Sequence, residues 1–238
     1  MNRYGSLLAS VIGILGPLGC IPDGAPANGG TAAAVSATDA KRCGPDGMLD
    51  DAEDENNQIA LNKGRSGYWY TFGDKAGSTI APAAGGTFAM SPGGANGSKF
   101  AAHISGKVGT GDVVYVGMGF NFVDPKGPHD LSAYKGISFW AKSNSPTRVR
   151  VKLPDGNTDP EGKVCTACFN DFGMDLELTP TWTKYTIPFG SASQLAGWGA
   201  PHPASVERTK MYGVQWQVNT PGAAYDVWVD DIELTGCP

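Results

Sequence analysis

A chain of 238 residues is long enough for one domain with a substantial core or for two small ones, and one is expected. With Gly 34, Pro 17 and only 17% charged residues it argues against a helical fold, because Gly and Pro break helices and punctuate strands. A net charge of -5, with no long Lys/Arg run, speaks against a nucleic-acid footprint and suits a neutral ligand.

Residues 1–20 read as an export signal: Arg3 gives the positive start, Leu7 to Leu15 the apolar stretch, and small residues precede Cys20. That stretch is too short to span a bilayer. Leu18-Gly19-Cys20 resembles a lipoprotein cleavage box, in which Cys20 would be acylated, although Pro17 departs from the usual pattern. Plain secretion is the alternative, so membrane contact is expected only through a lipid anchor. Residues 21–42, rich in Ala, Gly, Pro and Ser, lack apolar periodicity and read as a flexible linker to a domain spanning 43–238. Export implies an oxidising compartment, and the remaining even set of cysteines predicts Cys43 paired with Cys237 and Cys165 with Cys168. A zinc or redox role for Cys165 and Cys168 is disfavoured, since no second CxxC, nearby His or βαβ pattern accompanies them.

The domain opens on a carboxylate run from Asp46 to Asn57. Such runs are usually solvated linkers. Here the Cys43–Cys237 pairing would bring the run beside Asp230 and Asp231, and Asp51, Glu53, Asp54, Asp230 and Asp231 form a pool of hard oxygen ligands for a structural Ca²⁺. Strands are expected over 64–72, 100–104, 113–122, 131–142 and 148–153, with a long loop over 73–97. In the last of these strands Val149, Val151 and Leu153 face the core and Arg148, Arg150 and Lys152 face out. The acidic loop 155–173 is not an EF-hand, because Pro160 stands where Gly is required and Thr166 where Glu is. Strands follow over 176–178, 182–189, 211–219 and 225–234. In 211–219, Gln215 and Gln217 oppose Tyr212, Val214, Trp216 and Val218. In 225–234 the apolar alternation slips at Asp230-Asp231, which predicts a bulge. An all-β, two-sheet jelly-roll β-sandwich is expected.

Several segments, taken in order, carry a resemblance: Asp50-Asp51-Ala-Glu-Asp-Glu, Gly64-Arg-Ser-Gly-Tyr-Trp-Tyr-Thr-Phe72, Tyr134-Lys-Gly-Ile-Ser-Phe-Trp-Ala-Lys142, Cys165-Thr-Ala-Cys-Phe-Asn-Asp-Phe-Gly173, Leu178-Thr-Pro-Thr-Trp-Thr-Lys-Tyr185 and Trp228-Val-Asp-Asp-Ile232. Together, over roughly residues 44–236, they resemble the galactose-binding-like jelly rolls of carbohydrate-binding module family 11 and the related domain of the complex I intermediate-associated 30-kDa protein. The resemblance implies a non-catalytic β-glucan cleft on a concave sheet and a calcium ion near the chain ends.

Sugar rings offer apolar CH faces to aromatic rings and hydroxyl pairs to planar polar groups. On that chemistry the candidate ligand-binding residues are Arg150, Gln215 and Gln217 on the outward sheet face, with Trp69, Tyr70, Asp171 and Trp198 lining a rim. Trp198, set between Gly197 and Gly199 in a Pro-rich loop, has little around it to bury it. Trp182, Trp216 and Trp228 are assigned to core or sheet packing. A surface adhesion or protein-docking module is the alternative. A glycoside hydrolase, with its carboxylates drawn from Asp159, Glu161 and Asp171, is a weaker one, because His103, His129 and His202 sit in no nucleophile or metal motif.

Overall fold

The computed structural model describes residues 43–237; the export signal, Cys20 and the linker lie outside them. Within these residues, strands form where β-branched and aromatic residues alternate between turn-forming Gly, Pro and Asn. They are β1 Met48–Asp50, β2 Trp69–Gly73, β3 Thr79–Ala81, β4 Ser91–Pro92, β5 Phe100–Lys107, β6 Val116–Asn121, β7 Gly136–Ser143, β8 Thr147–Leu153, β9 Phe172–Leu178, β10 Thr183–Pro188, β11 Gly213–Val218 and β12 Ala224–Thr235. The stretch 73–97, read as one loop, holds two short edge strands, β3 and β4, both paired with β5. The strand expected from Val113 starts at Val116, and Val113 itself is exposed.

All pairings are antiparallel, in two sheets: β10-β7-β12-β5-β3, with β1 on β12 and β4 on β5, and β2-β6-β11-β8-β9. This is the expected sandwich. Its core is made by alternate residues of both inner faces, and the contact between sheets is direct: Phe139 of β7 meets the edge of Trp216 of β11 at a centroid distance of 5.2 Å. Trp216 is fully buried and also stacks on Trp69 at 5.7 Å. A core tryptophan of this kind contributes about 3 to 5 kcal/mol against truncation to alanine.

Last strand β12 lies between β5 and β7 at the centre of its sheet. Against β7, Asp230 pairs with Trp140 and Glu233 with Ser138, three residues against two, so one residue is extra. This is the bulge the slipped alternation predicts. Asp231 takes φ 48 there, and Ile232 and Leu234 return to the buried face. Both disulfides pair as expected, with Cα–Cα separations of 5.6 Å for Cys43–Cys237 and 5.1 Å for Cys165–Cys168. Such bonds persist in oxidising compartments, which agrees with export.

Candidate functional site

The outward face of the five-stranded sheet is organised by strand register into two rows. One runs Tyr70, Gly119, Gln215, Lys152, Gly173 across β2, β6, β11, β8 and β9. The next runs Phe72, Gly117, Gln217, Arg150, Asp175 across the same strands. In each row an aromatic residue is followed by glycine, an amide and a cation. Three strand spacings put the aromatic and cationic columns about 14 Å apart.

The glycines explain how the rows work. A Cβ on Gly117 would lie 2.4 Å from Cζ of Phe72, so the Phe72 ring lies over the bare backbone of β6. The Tyr70 side chain reaches across Gly119, and its hydroxyl oxygen accepts a hydrogen bond of 2.9 Å from Gln215 Nε2. Tyr70, Phe72 and Tyr115 follow one another with centroid separations of 6.1 and 6.4 Å. Burial pushes the Tyr70 phenol well above its ordinary pKa, so the hydroxyl keeps its proton and remains a donor.

On the far side the cations are buried and held. Arg150 donates to the Ser193 carbonyl at 2.5 Å and lies 3.6 Å from Asp175 Oδ2, while Arg148 pairs with Asp175 at 3.0 Å. Lys152 pairs with Asp171 at 2.8 Å. Asp171 is 2% exposed, and its Oδ1 is buried without a hydrogen-bond partner among the described residues. Arg150, Gln215 and Gln217 lie on the outward face that their alternation predicts; Tyr70, read as a rim residue, lies on the same face, and Asp171 stands at its end. Trp69 does not line a rim. It alternates with Tyr70 and points into the core, 3% exposed, its Nε1 donating to Asp50 at 2.5 Å. Phe72, Tyr115 and Asp175 join the face although the sequence reading passed over them, and Arg148, expected to face out, pairs with Asp175 there.

Beyond β9 the wall is raised by two loops fastened to each other. Gly173 and Ser193 exchange backbone hydrogen bonds of 3.0 Å. Asn170 accepts from the Leu195 amide at 3.0 Å and donates to the carbonyls of Leu195 and Trp198 at 2.8 and 2.6 Å. Trp198 is 46% exposed on this wall, consistent with its glycine-flanked setting. Two of the three carboxylates weighed for hydrolysis are buried and ion-paired, Asp159 with Lys126 at 2.6 Å and Asp171 with Lys152; Glu161 is exposed.

The acidic residues divide. Glu53 Oε1 accepts from Ser98 Oγ and from the amides of Lys99 and Phe100 at 2.7 to 3.0 Å. Asp230 Oδ2 accepts from the Ala95 amide at 2.7 Å, so both carboxylates close on the loop 94–100. Burial pushes Asp230 up to about 7. Asp51 and Asp54 instead cap their own turn at Glu53 and Asn56. Among the described residues no group of three or more His, Cys, Asp or Glu side chains stands at metal-binding spacing.

The outer face of the other sheet is also aromatic, but its rings are occupied. His103 stacks on Trp228 at 3.8 Å, and Lys142 Nζ lies 5.0 Å from the Trp228 ring and 4.9 Å from that of Trp182. Trp228 Nε1 donates to Asp226 at 2.5 Å. These contacts agree with assigning Trp182 and Trp228 to sheet packing. Elsewhere a cleft of about 300 Å³ is lined by Lys135, Phe189, Gly190, Ser205, Val206 and Arg208, but Arg208 already donates to the carbonyls of Ser132 and Tyr134.

The two-sheet jelly roll is a fold shared with solved carbohydrate-binding modules. The family 11 carbohydrate-binding module from Clostridium thermocellum in complex with a beta-1,3-1,4-mixed-linked tetrasaccharide matches with TM-score 0.56 and 19% identity over 80% of this chain and 95% of that one. The family 11 module of the cellulosomal cellulase Lic26A-Cel5E from the same organism gives 0.54 and 19% over 80% and 94%. The family 30 module of its cellulosomal cellulase CEL9D-CEL44B gives 0.50 and 12% over 71% and 91%. No family model matches the sequence, and no curated protein matches it significantly. Nothing in these comparisons bears on the likeness to the complex I intermediate-associated protein.

Proposed function

We propose that the protein binds a neutral β-glucan-like polysaccharide, without catalysis, on the outward face of the five-stranded sheet. The observation that carries this reading is the pair of cross-strand rows. Aromatic faces at Tyr70 and Phe72, amides at Gln215 and Gln217, and a cation–carboxylate column at Arg150, Lys152, Asp171 and Asp175 share one sheet face, with the Phe72 ring over the backbone at Gly117 and the Gln215 side chain over Gly119. Rings meet the apolar CH faces of a sugar and the polar columns meet its hydroxyls. That the family 11 module of similar fold was solved with a mixed-linkage tetrasaccharide supports the ligand class. Affinity electrophoresis on mixed-linkage glucan, cellulose derivatives and xylan tests it. Retardation by at least one polysaccharide, lost in Tyr70→Ala, is expected; no retardation by any, with specific capture of a protein partner, would favour a docking module.

A structural calcium ion is proposed with a narrower ligand set, Glu53 and Asp230. Both supply hard oxygens to one loop, and backbone carbonyls and water would complete the shell of about 6 to 8 ligands. Calcium should raise the melting temperature and EDTA should reverse it; indifference to both would remove the ion. Export as a lipid-anchored protein acylated at Cys20 is likewise proposed, and metabolic labelling with a fatty acid that survives in a Cys20→Ser variant would exclude it.

A further inference from the structure

Four of the seven large hydrophobic side chains most exposed among the described residues sit on the two loops that extend the sheet beyond β9: Val164, Phe169, Leu195 and Trp198. Exposure alone says little, but here it is held in place. Phe169 is 58% exposed and adopts φ 73, a left-handed conformation that costs a bulky side chain about 1 to 2 kcal/mol. Its amide is fixed by the Thr158 carbonyl at 2.9 Å, and Cys168 beside it is bridged to Cys165. Trp198 is carried between Gly197 and Gly199 at φ 87 and 85, and a Cβ on Gly199 would lie 2.6 Å from the Cβ of Asn170. Asn170, the residue after Phe169, holds the Trp198 carbonyl, and Ala167 and Ala200 pair through their backbones at 3.1 Å. A strained, outward aromatic that several bonds maintain is a feature found where function requires it.

The wall that carries these rings is continuous with the sheet face. Gly173, the last residue of the Tyr70 row, pairs with Ser193, and Arg150 of the Phe72 row donates to the same Ser193. A glycan lying across the rows toward β9 therefore arrives at this wall.

We propose that Phe169 and Trp198 form an aromatic platform that extends the sugar-binding face past β9, so that the protein is selective for long polysaccharide chains over short oligosaccharides, and that the Cys165–Cys168 bridge maintains it. This inference rests on the sheet-face reading. The tetrasaccharide would be held by the rows alone, and only a longer chain would reach both surfaces.

The test compares retardation by mixed-linkage β-1,3-1,4-glucan with calorimetric affinity for a tetrasaccharide of the same linkage, using the full chain. Trp198→Ala and Phe169→Gly are expected to weaken polymer binding about threefold to tenfold each while leaving the tetrasaccharide within twofold. Cys165→Ser/Cys168→Ser should weaken the polymer in the same way. Phe169→Gly carries an added signature: relief of the left-handed strain should raise the melting temperature while polymer binding falls, which loss of folding cannot mimic. If the wild type binds both ligands and the variants keep its ratio of polymer to tetrasaccharide affinity, the platform is refuted and the sheet face stands. If the wild type binds neither these nor other polysaccharides, the sheet-face reading falls and the platform with it.

Discussion

The two outer faces of the sandwich differ less in aromatic content than in what their rings touch. On the seven-stranded sheet, Lys142, Trp228 and His103 stand side by side across β7, β12 and β5, with Trp182 just before β10 against Lys142, so each ring meets a cation or another ring. On the five-stranded sheet, Gly117 and Gly119 leave β6 without side chains, so the Phe72 ring lies over Gly117 and the Gln215 side chain, bonded to the Tyr70 hydroxyl, over Gly119. On the first face rings and cations cover one another; on the second, glycine lets a ring and an amide lie down on the backbone beside a column of cations.

This contrast can be broken by substitution. The largest effect is expected from Arg150→Ala, which removes a buried cation from Asp175 and the Ser193 carbonyl. Stability should fall by about 3 kcal/mol in denaturant unfolding, and glycan retardation should disappear. Tyr70→Ala should reduce glycan affinity by about 1.5 to 3 kcal/mol in titration calorimetry, since it removes both a ring face and the partner of Gln215. On the opposite face, Trp228→Ala should cost about 1 to 2 kcal/mol of stability and leave glycan affinity unchanged; loss of affinity there would mean the faces have been assigned the wrong way round.

The smallest effect is a pH dependence. Burial lowers the pKa of His103 below the ordinary imidazole value of about 6.5, against the pull of Asp226. The unfolded chain then binds the proton more readily, so this contribution is present above pH 6.5 and is lost as pH falls through the lower folded value. Asp50 and Asp230, raised by burial to about 6 and about 7, act in the opposite sense and favour the folded state as pH falls. The unfolding free energy of the wild type relative to His103→Phe should therefore fall from pH 7.5 to 5.5, by less than about 1 kcal/mol, with glycan retardation unaffected.

Much of the architecture is legible in the sequence because period-2 alternation is strong in β7, β8, β11 and β12. Even the bulge follows from one slipped phase at Asp230-Asp231. The site is half legible. Arg150, Gln215 and Gln217 follow from alternation within their own strands, and Tyr70 does too once Trp69 is placed inside. Trp69 misleads because composition cannot tell which of two adjacent aromatics meets the core. Phe72 is missed because its role depends on Gly117 in the neighbouring strand, a relation set by register rather than by sequence proximity, and Tyr115 because it joins only through the Phe72 ring. The signal was present: glycine at alternate positions of a strand marks a place where another group approaches the backbone closely. Asp175 is found only through its pairing with Arg150.

The bond between Cys43 and Cys237 has a mechanical consequence. A pull entering at Cys43 does not first peel β1 from β12; the bridge, closing 194 residues, passes the load to the chain just after β12. Because β12 is hydrogen-bonded on both sides, to β5 and β7, rupture under such a load requires shearing two ladders at once. Reduction of that single bond would convert a shear geometry into an unzipping one.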